Sequence, residues 1–155
     1  NVDALYLVDS FGALYSEQIT HLAKKYKSLM PTKEIGIHAH NNQQLAFANT
    51  IEAVIQNVNF LDGTIFGIGR AAGNCPLELL LGFLKNPKYD LRPILEILES
   101  HFVKLKEEIE WGYTIPYMIT GILDLHPRAG MKLRKSDNRD NYLGFFDGLV
   151  ESDSA

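Results

Sequence analysis

The sequence predicts an α/β fold with a parallel sheet, followed by a helical tail. Three observations carry this. Short apolar runs begin near residues 3, 35 and 60, and each gives way to a segment of helical period. Their spacing of roughly 25–30 residues is that of a strand–helix–strand unit, whose right-handed crossover sets successive strands side by side. Beyond Leu91 the apolar residues keep helical spacing only.

The first run, Asp3-Ala4-Leu5-Tyr6-Leu7-Val8, ends at Asp9 and is nearly continuous, as a strand covered on both faces is. Ser16 reads as the N-cap of the next helix, with Glu17 in its first turn. Ile19, Leu22, Ala23 and Tyr26 form its apolar stripe, and Pro31 closes it. The second unit pairs the strand Ile35-Gly36-Ile37-His38-Ala39-His40 with a helix carrying Ile51, Val54, Ile55 and Val58, capped by Asn41 or Asn42. The third strand reads as Phe60 to Phe66, before a glycine-rich loop from Gly67 to Asn74. Pro76 suits the first turn of the following helix. That helix is apolar on nearly every side through Leu84 and is expected to be buried.

In the tail, Leu91, Ile94, Leu95, Leu98, Phe102, Leu105 and Ile109 line one long amphipathic helix. Pro116 and Pro127 open two shorter ones, and a last helix is expected over about 140–149. The expected organisation is a unit over 1–87, a helical extension over 88–150 and a frayed, disordered tail over 151–155.

The chain of 155 residues has a net charge of −4, which argues against a nucleic-acid or anionic-membrane surface. Its single cysteine, Cys75, excludes an intrachain disulfide framework and fits a reducing, cytoplasmic location. No apolar run approaches the roughly 20 residues of a membrane helix. The sequence starts at Asn1 and enters a strand almost at once, from which a piece of a longer chain is expected.

His38-x-His40 at a strand end is the strongest chemical signal. Residues i and i+2 of a strand face the same way, roughly 7 Å apart along the backbone, so two imidazoles can reach one cation. Asp9, the His pair and the Gly67–Asn74 loop all fall at the C-terminal ends of the strands, where parallel α/β folds place their sites. Taken singly, Asp9 and Asp62 read as strand-end caps, and Gly67, Gly69 and Gly73 as a plain turn. No G-K-[ST] follows the loop, which disfavours a phosphate site.

Val8-Asp9-Ser10-Phe11-Gly12, Gly36-Ile37-His38-Ala39-His40-Asn41-Asn42, Leu45-Ala46-Phe47-Ala48-Asn49, Asp62-Gly63-Thr64-Ile65-Phe66-Gly67-Ile68-Gly69 and Gly73-Asn74-Cys75-Pro76-Leu77-Glu78 occur in that order. Together they resemble the DRE-TIM metallolyase (HMGL-like) superfamily over about residues 1–85. Trp111-Gly112-Tyr113 and Pro116-Tyr117 are similar to the 4-hydroxy-2-oxovalerate aldolase branch. The resemblance implies the last three strand–helix units of a (β/α)8 TIM barrel. It also implies a divalent metal, Mn2+ or Mg2+, on His38 and His40, with Asn74 ligating or bordering it. Asp9 matches a strand-end acid near the site and is a catalytic candidate, as is Tyr113, with Tyr117 beside it; each tyrosine reads otherwise as a core aromatic. Asn42, Asp62 and Gly69 are candidates for substrate contacts. Asp9 or Asn41 is expected to hold the second ring nitrogen of the histidines.

The implied reaction makes or breaks a C–C bond beside a 2-oxo acid, with the cation stabilising an enolate. The family's first strand supplies an Asp ligand and an Arg, and its aldolase branch takes a base from the N-terminal half; neither is in this sequence. Three alternatives stay open: a Claisen-type acyltransferase of the isopropylmalate synthase type, a non-catalytic barrel fragment that docks a partner, and an H-x-H metal-dependent hydrolase. Expected partners are a small 2-oxo acid and, through the C-terminal helices, an aldehyde dehydrogenase or a second copy of the chain.

Overall fold

The computed structural model describes residues 2–153. Strand β1 (Ala4–Asp9) leads through helix α1 (Ser16–Leu29) to β2 (Glu34–Ala39), and α2 (Ala46–Ile55) leads to β3 (Phe60–Leu61). The strands are parallel in the order β1-β2-β3. The register pairs Leu7 with Ile37, Val8 with His38 and Asp9 with Ala39, and Ile37 with Leu61.

Alternation along the strands sorts the sheet into two faces. Leu7, Ile37 and Ala39 pack on Ile19 and Ala23 of α1, on Ala46 and Ala53 of α2, and on Cys75 and Leu80. This is the main core. Cys75 is fully enclosed there, and burial pushes its thiol up to about 11. Tyr6, Val8, Gly36 and His38 occupy the other face. Tyr6 and Val8 are exposed on it, and the Tyr6 ring lies over Gly36, where a Cβ would stand 2.5 Å from Cε1.

The local reasons for these elements differ in detail from expectation. Ser16 is the first helical residue, not the cap; the entry to α1 is closed by Tyr15 donating its backbone N–H to the Gln18 side chain at 2.9 Å. Neither asparagine is the N-cap of α2, which is Leu45; Asn41 supports the first turn from further back, its Oδ1 accepting the Ala46 N–H at 3.1 Å. The third strand is only Phe60–Leu61, not Phe60 to Phe66. After Asp62 the chain leaves the sheet, bridges Thr64 to Pro76 and turns through a 3-10 segment, Ile65–Gly67, with Phe66 at φ 56°. Helix α3 (Leu77–Leu84) follows, and it corrects the expectation of a buried helix: Leu80 alone is buried, while Leu79 and Phe83 are each 47% exposed. Composition reports that a helix is apolar, not which of its faces has a neighbour.

The tail is helical. Helix α4 (Arg92–Ile97) runs through a π-helical turn, Leu98–Phe102, into α5 (Val103–Glu108), forming the expected long helix. None of its side chains is buried. Helices α6 (Ile115–Ile122) and α7 (Arg128–Arg134) begin at Pro116 and Pro127 as expected, Pro116 inside the first turn and Pro127 as the cap. Tyr117 packs with Ala71, Ala72 and Met131 in a second core. Helix α8 (Tyr142–Asp153) packs on α6 and makes residues 151–153 helical where fraying is expected. Residues 154 and 155 lie outside the described part. Among the described residues no helix is long and apolar enough to cross a membrane.

Candidate metal centre

His38 sits one residue from the end of β2 on the open face of the sheet. His40 follows two residues on, where the chain continues the strand direction: its N–H donates to the Asp9 carbonyl at 3.2 Å. The two imidazole rings lie side by side, centroids 5.2 Å apart with planes at 79°. They therefore share a face, and a crossed pair at this spacing can direct one nitrogen each toward a common point.

The tautomer of His38 is set by a carboxylate. Its Nδ1 lies 3.0 Å from Oδ2 of Asp62. A carboxylate accepts, so the proton resides on Nδ1 and the Nε2 lone pair is left free, the arrangement found behind metal-binding histidines. This corrects the expectation that Asp9 or Asn41 holds the ring. Asp62 lies just beyond the two-residue β3, and its N–H donates to the Ile37 carbonyl at 3.0 Å; it continues the register of Ile37 with Leu61 by one step, which sets it beside His38. The Tyr6 phenol also meets this carboxylate: burial, then the charge of Asp62 and a hydrogen bond to it, raise Tyr6 above the ordinary tyrosine value. Asp62→Asn keeps an acceptor but removes the charge, so metal affinity is expected to fall about 10-fold with the fold intact; isothermal titration with Mn2+ checks this, and an unchanged affinity refutes the role of Asp62.

His40 is a neutral imidazole at neutral pH. Burial, then the charges of Arg70 and His38, hold it below the usual histidine value, with a hydrogen bond to the Gly73 backbone acting the other way. Only the neutral ring can bind a cation.

Asn74 reaches the site by backbone pairing. The Asn41 N–H donates to the Gly73 carbonyl at 2.9 Å and the Cys75 N–H to the Ala39 carbonyl at 3.2 Å, which makes His40 and Asn74 directly opposite partners in an antiparallel bridge. Opposed residues of such a pair project to the same side, and pairs flanked in this way bring their side chains closest. The Asn74 Nδ2 donates to the Ile68 carbonyl at 3.1 Å, while its Oδ1 is buried without a partner. A buried, unpaired carbonyl oxygen is costly, and beside two imidazoles a hard cation would satisfy it. Gly69 makes room for this amide, since a Cβ there would stand 2.5 Å from Nδ2. The residues present fit a divalent ion with two nitrogens and one oxygen. Among the described residues there is no group of three or more His, Cys, Asp or Glu side chains that could hold one.

Asp9 is placed elsewhere. In register with Ala39, it shares the core-facing side of the sheet with Leu7, opposite His38, and is 3% exposed. Its carboxylate accepts the N–H groups of Ala13 at 3.0 Å and Leu14 at 3.3 Å. Burial raises its pKa, and the donors of Ala13, Leu14 and Gly12 pull it back. Asp9 holds the loop after β1 and does not face the imidazoles. Asn42 is likewise buried at 1%, set between Gly12 and Gly121. Its Oδ1 accepts the Ala72 N–H at 3.4 Å, and its Nδ2 has no partner. Tyr113 stands 53% exposed between α5 and α6. Tyr117 is a core aromatic, its hydroxyl accepting from Arg134 Nη1 at 3.3 Å.

Two residues went unread in the sequence. Arg70, whose Nη2 donates to the Ser10 carbonyl at 2.7 Å, brings positive charge near His40; its signal was a lone cation inside the glycine loop. Trp111 packs under that loop, and only its pairing with Gly112 and Tyr113 marked it.

Known proteins share this sequence pattern and fold. A 4-hydroxy-2-oxovalerate aldolase of Geobacillus thermodenitrificans is 39% identical over 150 residues, covering 89% of this chain and 43% of that protein. One of Thermus thermophilus is 38% identical over 101 residues, covering 63% of this chain and 29% of that protein. The chain therefore spans less than half the length of either relative. The crystal structure of the N-terminal domain of a candidate aldolase from Bacteroides vulgatus superposes with a TM-score of 0.77 at 32% identity, over 88% of this chain and 46% of that one. The HMGL-like family model matches residues 1–100, and with the paired histidines, the glycine loop and the parallel sheet in place, the chain belongs to the HMGL-like family of DRE-TIM metallolyases.

Proposed function

We propose that this chain is the metal-binding portion of a divalent-metal-dependent aldolase that cleaves or forms a C–C bond beside a 2-oxo acid, as its relatives' name suggests. In this reading it forms the last three strand–helix units of a (β/α)8 barrel, and the protein works in the cytoplasm. The observation that supports it best is the pair of rings 5.2 Å apart with His38 Nδ1 tied to Asp62 and an unpaired Asn74 Oδ1 on the adjoining bridge.

His38, His40 and Asn74 would hold Mn2+ or Mg2+. Such an ion supplies Lewis-acid stabilisation of the negative charge that develops on a 2-oxo acid when the bond beside its carbonyl is made or broken. The chain's own residues prepare the place. Asp62 keeps the His38 proton on Nδ1 and the Nε2 lone pair turned outward. Burial of His40 keeps its ring unprotonated. Arg70 adds positive charge on the side where a substrate carboxylate would enter. Tyr113, exposed and near the glycine loop through Trp111, remains the candidate for substrate contact, and Asn42, buried with a free Nδ2, would act by shaping the loops. The exposed apolar side chains Leu95, Ile97, Val103 and Ile109 of the α4–α5 helix suit an aldehyde dehydrogenase partner or a second copy.

The test uses the full-length protein. Pyruvate methyl protons should exchange with deuterium in an NMR assay, stop exchanging after chelation and resume on adding Mn2+. Exchange indifferent to chelation would overturn the metal reading. Thiol release from an acyl-CoA with a 2-oxo acid acceptor would instead favour the acyltransferase.

A further inference from the structure

The tail reaches back to the glycine loop through Trp111. Trp111 is 4% exposed, and its indole N–H donates to the Phe66 carbonyl at 2.8 Å. The two rings meet edge to face, centroids 5.9 Å apart at 84°. Lys106 Nζ lies 4.3 Å from the Phe66 centroid and 5.5 Å from that of Trp111, which adds a cation–π contact to the same pair.

Phe66 needs this support. Its φ of 56° is left-handed, a conformation that strains a bulky residue. Both of its peptide groups are engaged: the N–H by Glu78 Oε2 at 3.0 Å, the carbonyl by Trp111. The residue after it, Gly67, offers its carbonyl to the Asn74 N–H at 3.0 Å, and Ile68 offers its carbonyl to the Asn74 amide. The indole also abuts Gly73, where a Cβ would be 3.6 Å from Cδ1. Both loop carbonyls that accept from Asn74 thus lie within two residues of Phe66, which Trp111 holds.

We propose that Trp111 is a positioning residue for Asn74: by anchoring the Phe66 carbonyl and abutting Gly73, it holds the glycine loop so that Asn74 Oδ1 stays on the side of His40. This rests on the metal reading given above. Removing the indole N–H lets the Phe66 peptide relax toward an ordinary conformation, the Gly67 carbonyl swings, and Asn74 loses its aim while the sheet and both imidazoles keep theirs.

Mn2+ binding by the full-length protein, read from the free-ion EPR signal, should be compared among wild type, Trp111→Phe and His38→Ala. W111F is expected to bind about 10-fold more weakly, the usual effect of a residue that orients a ligand, and H38A not measurably. A wild type that holds no Mn2+ overturns the metal reading and this role with it. A wild type that binds, with H38A silent and W111F as tight as wild type, overturns the positioning role alone. Should W111F fail to fold, 5-fluorotryptophan placed at position 111 alone decides the matter. Its fluorine resonance should shift as Mg2+ saturates the wild type and stay still in Asn74→Ala; a resonance that ignores Mg2+ in a protein that binds it refutes the coupling.

Discussion

Alanine at either His38 or His40 is expected to abolish metal-dependent proton exchange at the methyl group of pyruvate in the full-length protein. The fall should be about a thousandfold or more, equivalent to the several kcal/mol that a Lewis acid contributes to such a charge. The reason lies in the small donor set. The two rings are neighbours at 5.2 Å, and among the described residues there is no group of three or more His, Cys, Asp or Glu that could hold the ion in their place. An amide oxygen from Asn74 is a weak ligand without them. Neither substitution should unfold the chain, because His38 stands on the face of the sheet away from the core of Leu7, Ile37 and Ala39. Circular dichroism and the urea midpoint should therefore stay near wild type while exchange is lost. Unchanged exchange in both variants would reject the metal assignment.

The largest effect on stability is expected at Gly73. Its φ is +86°, a region closed to most side chains. A Cβ there would collide with the carbonyl oxygen of Gly67, the oxygen that accepts the Asn74 N–H at 3.0 Å. Gly73→Ala must therefore either break that hydrogen bond or reshape the loop, at a cost of about 2–4 kcal/mol. Gly82→Ala provides the contrast. It lies inside α3, and a Cβ there meets nothing within 4 Å, so alanine should stabilise by about 0.5–1 kcal/mol through helix propensity. Urea denaturation of both variants checks the pair. A loss under about 1 kcal/mol for G73A, a cost well below that of overpacking, would show that the glycine loop is not held as described.

Much of the site could be read from residue order because the relevant physics is local. A period of two put His38 and His40 on one face, as the crossed rings show. The alternation of apolar runs and helical stripes predicted three parallel strands, and the sheet has them. Where the reading failed, the cause was a local period not applied or a neighbour distant in sequence. Asp9 looked like a site acid because it ends a strand, yet the same period of two, counted from Leu7, turns it toward the core. Asp62 was read inside a long third strand; the strand stops at Leu61, and Asp62, one step further along the same register, stands beside His38, 24 residues away. Helix α3 was judged by composition, which cannot say which of its faces finds a partner.

By itself the order of residues determined the strand–helix units, the shared face of the two imidazoles and the membership of a family, since each depends on periodicity or on contiguous motifs. Only the folded chain decided that Asp62 sets the tautomer of His38, that Asn74 lies opposite His40, and that Trp111 clasps the loop between them. Those contacts join residues 24 to 45 positions apart, and a hydrogen bond across such a gap is specified by how whole elements pack rather than by any local pattern.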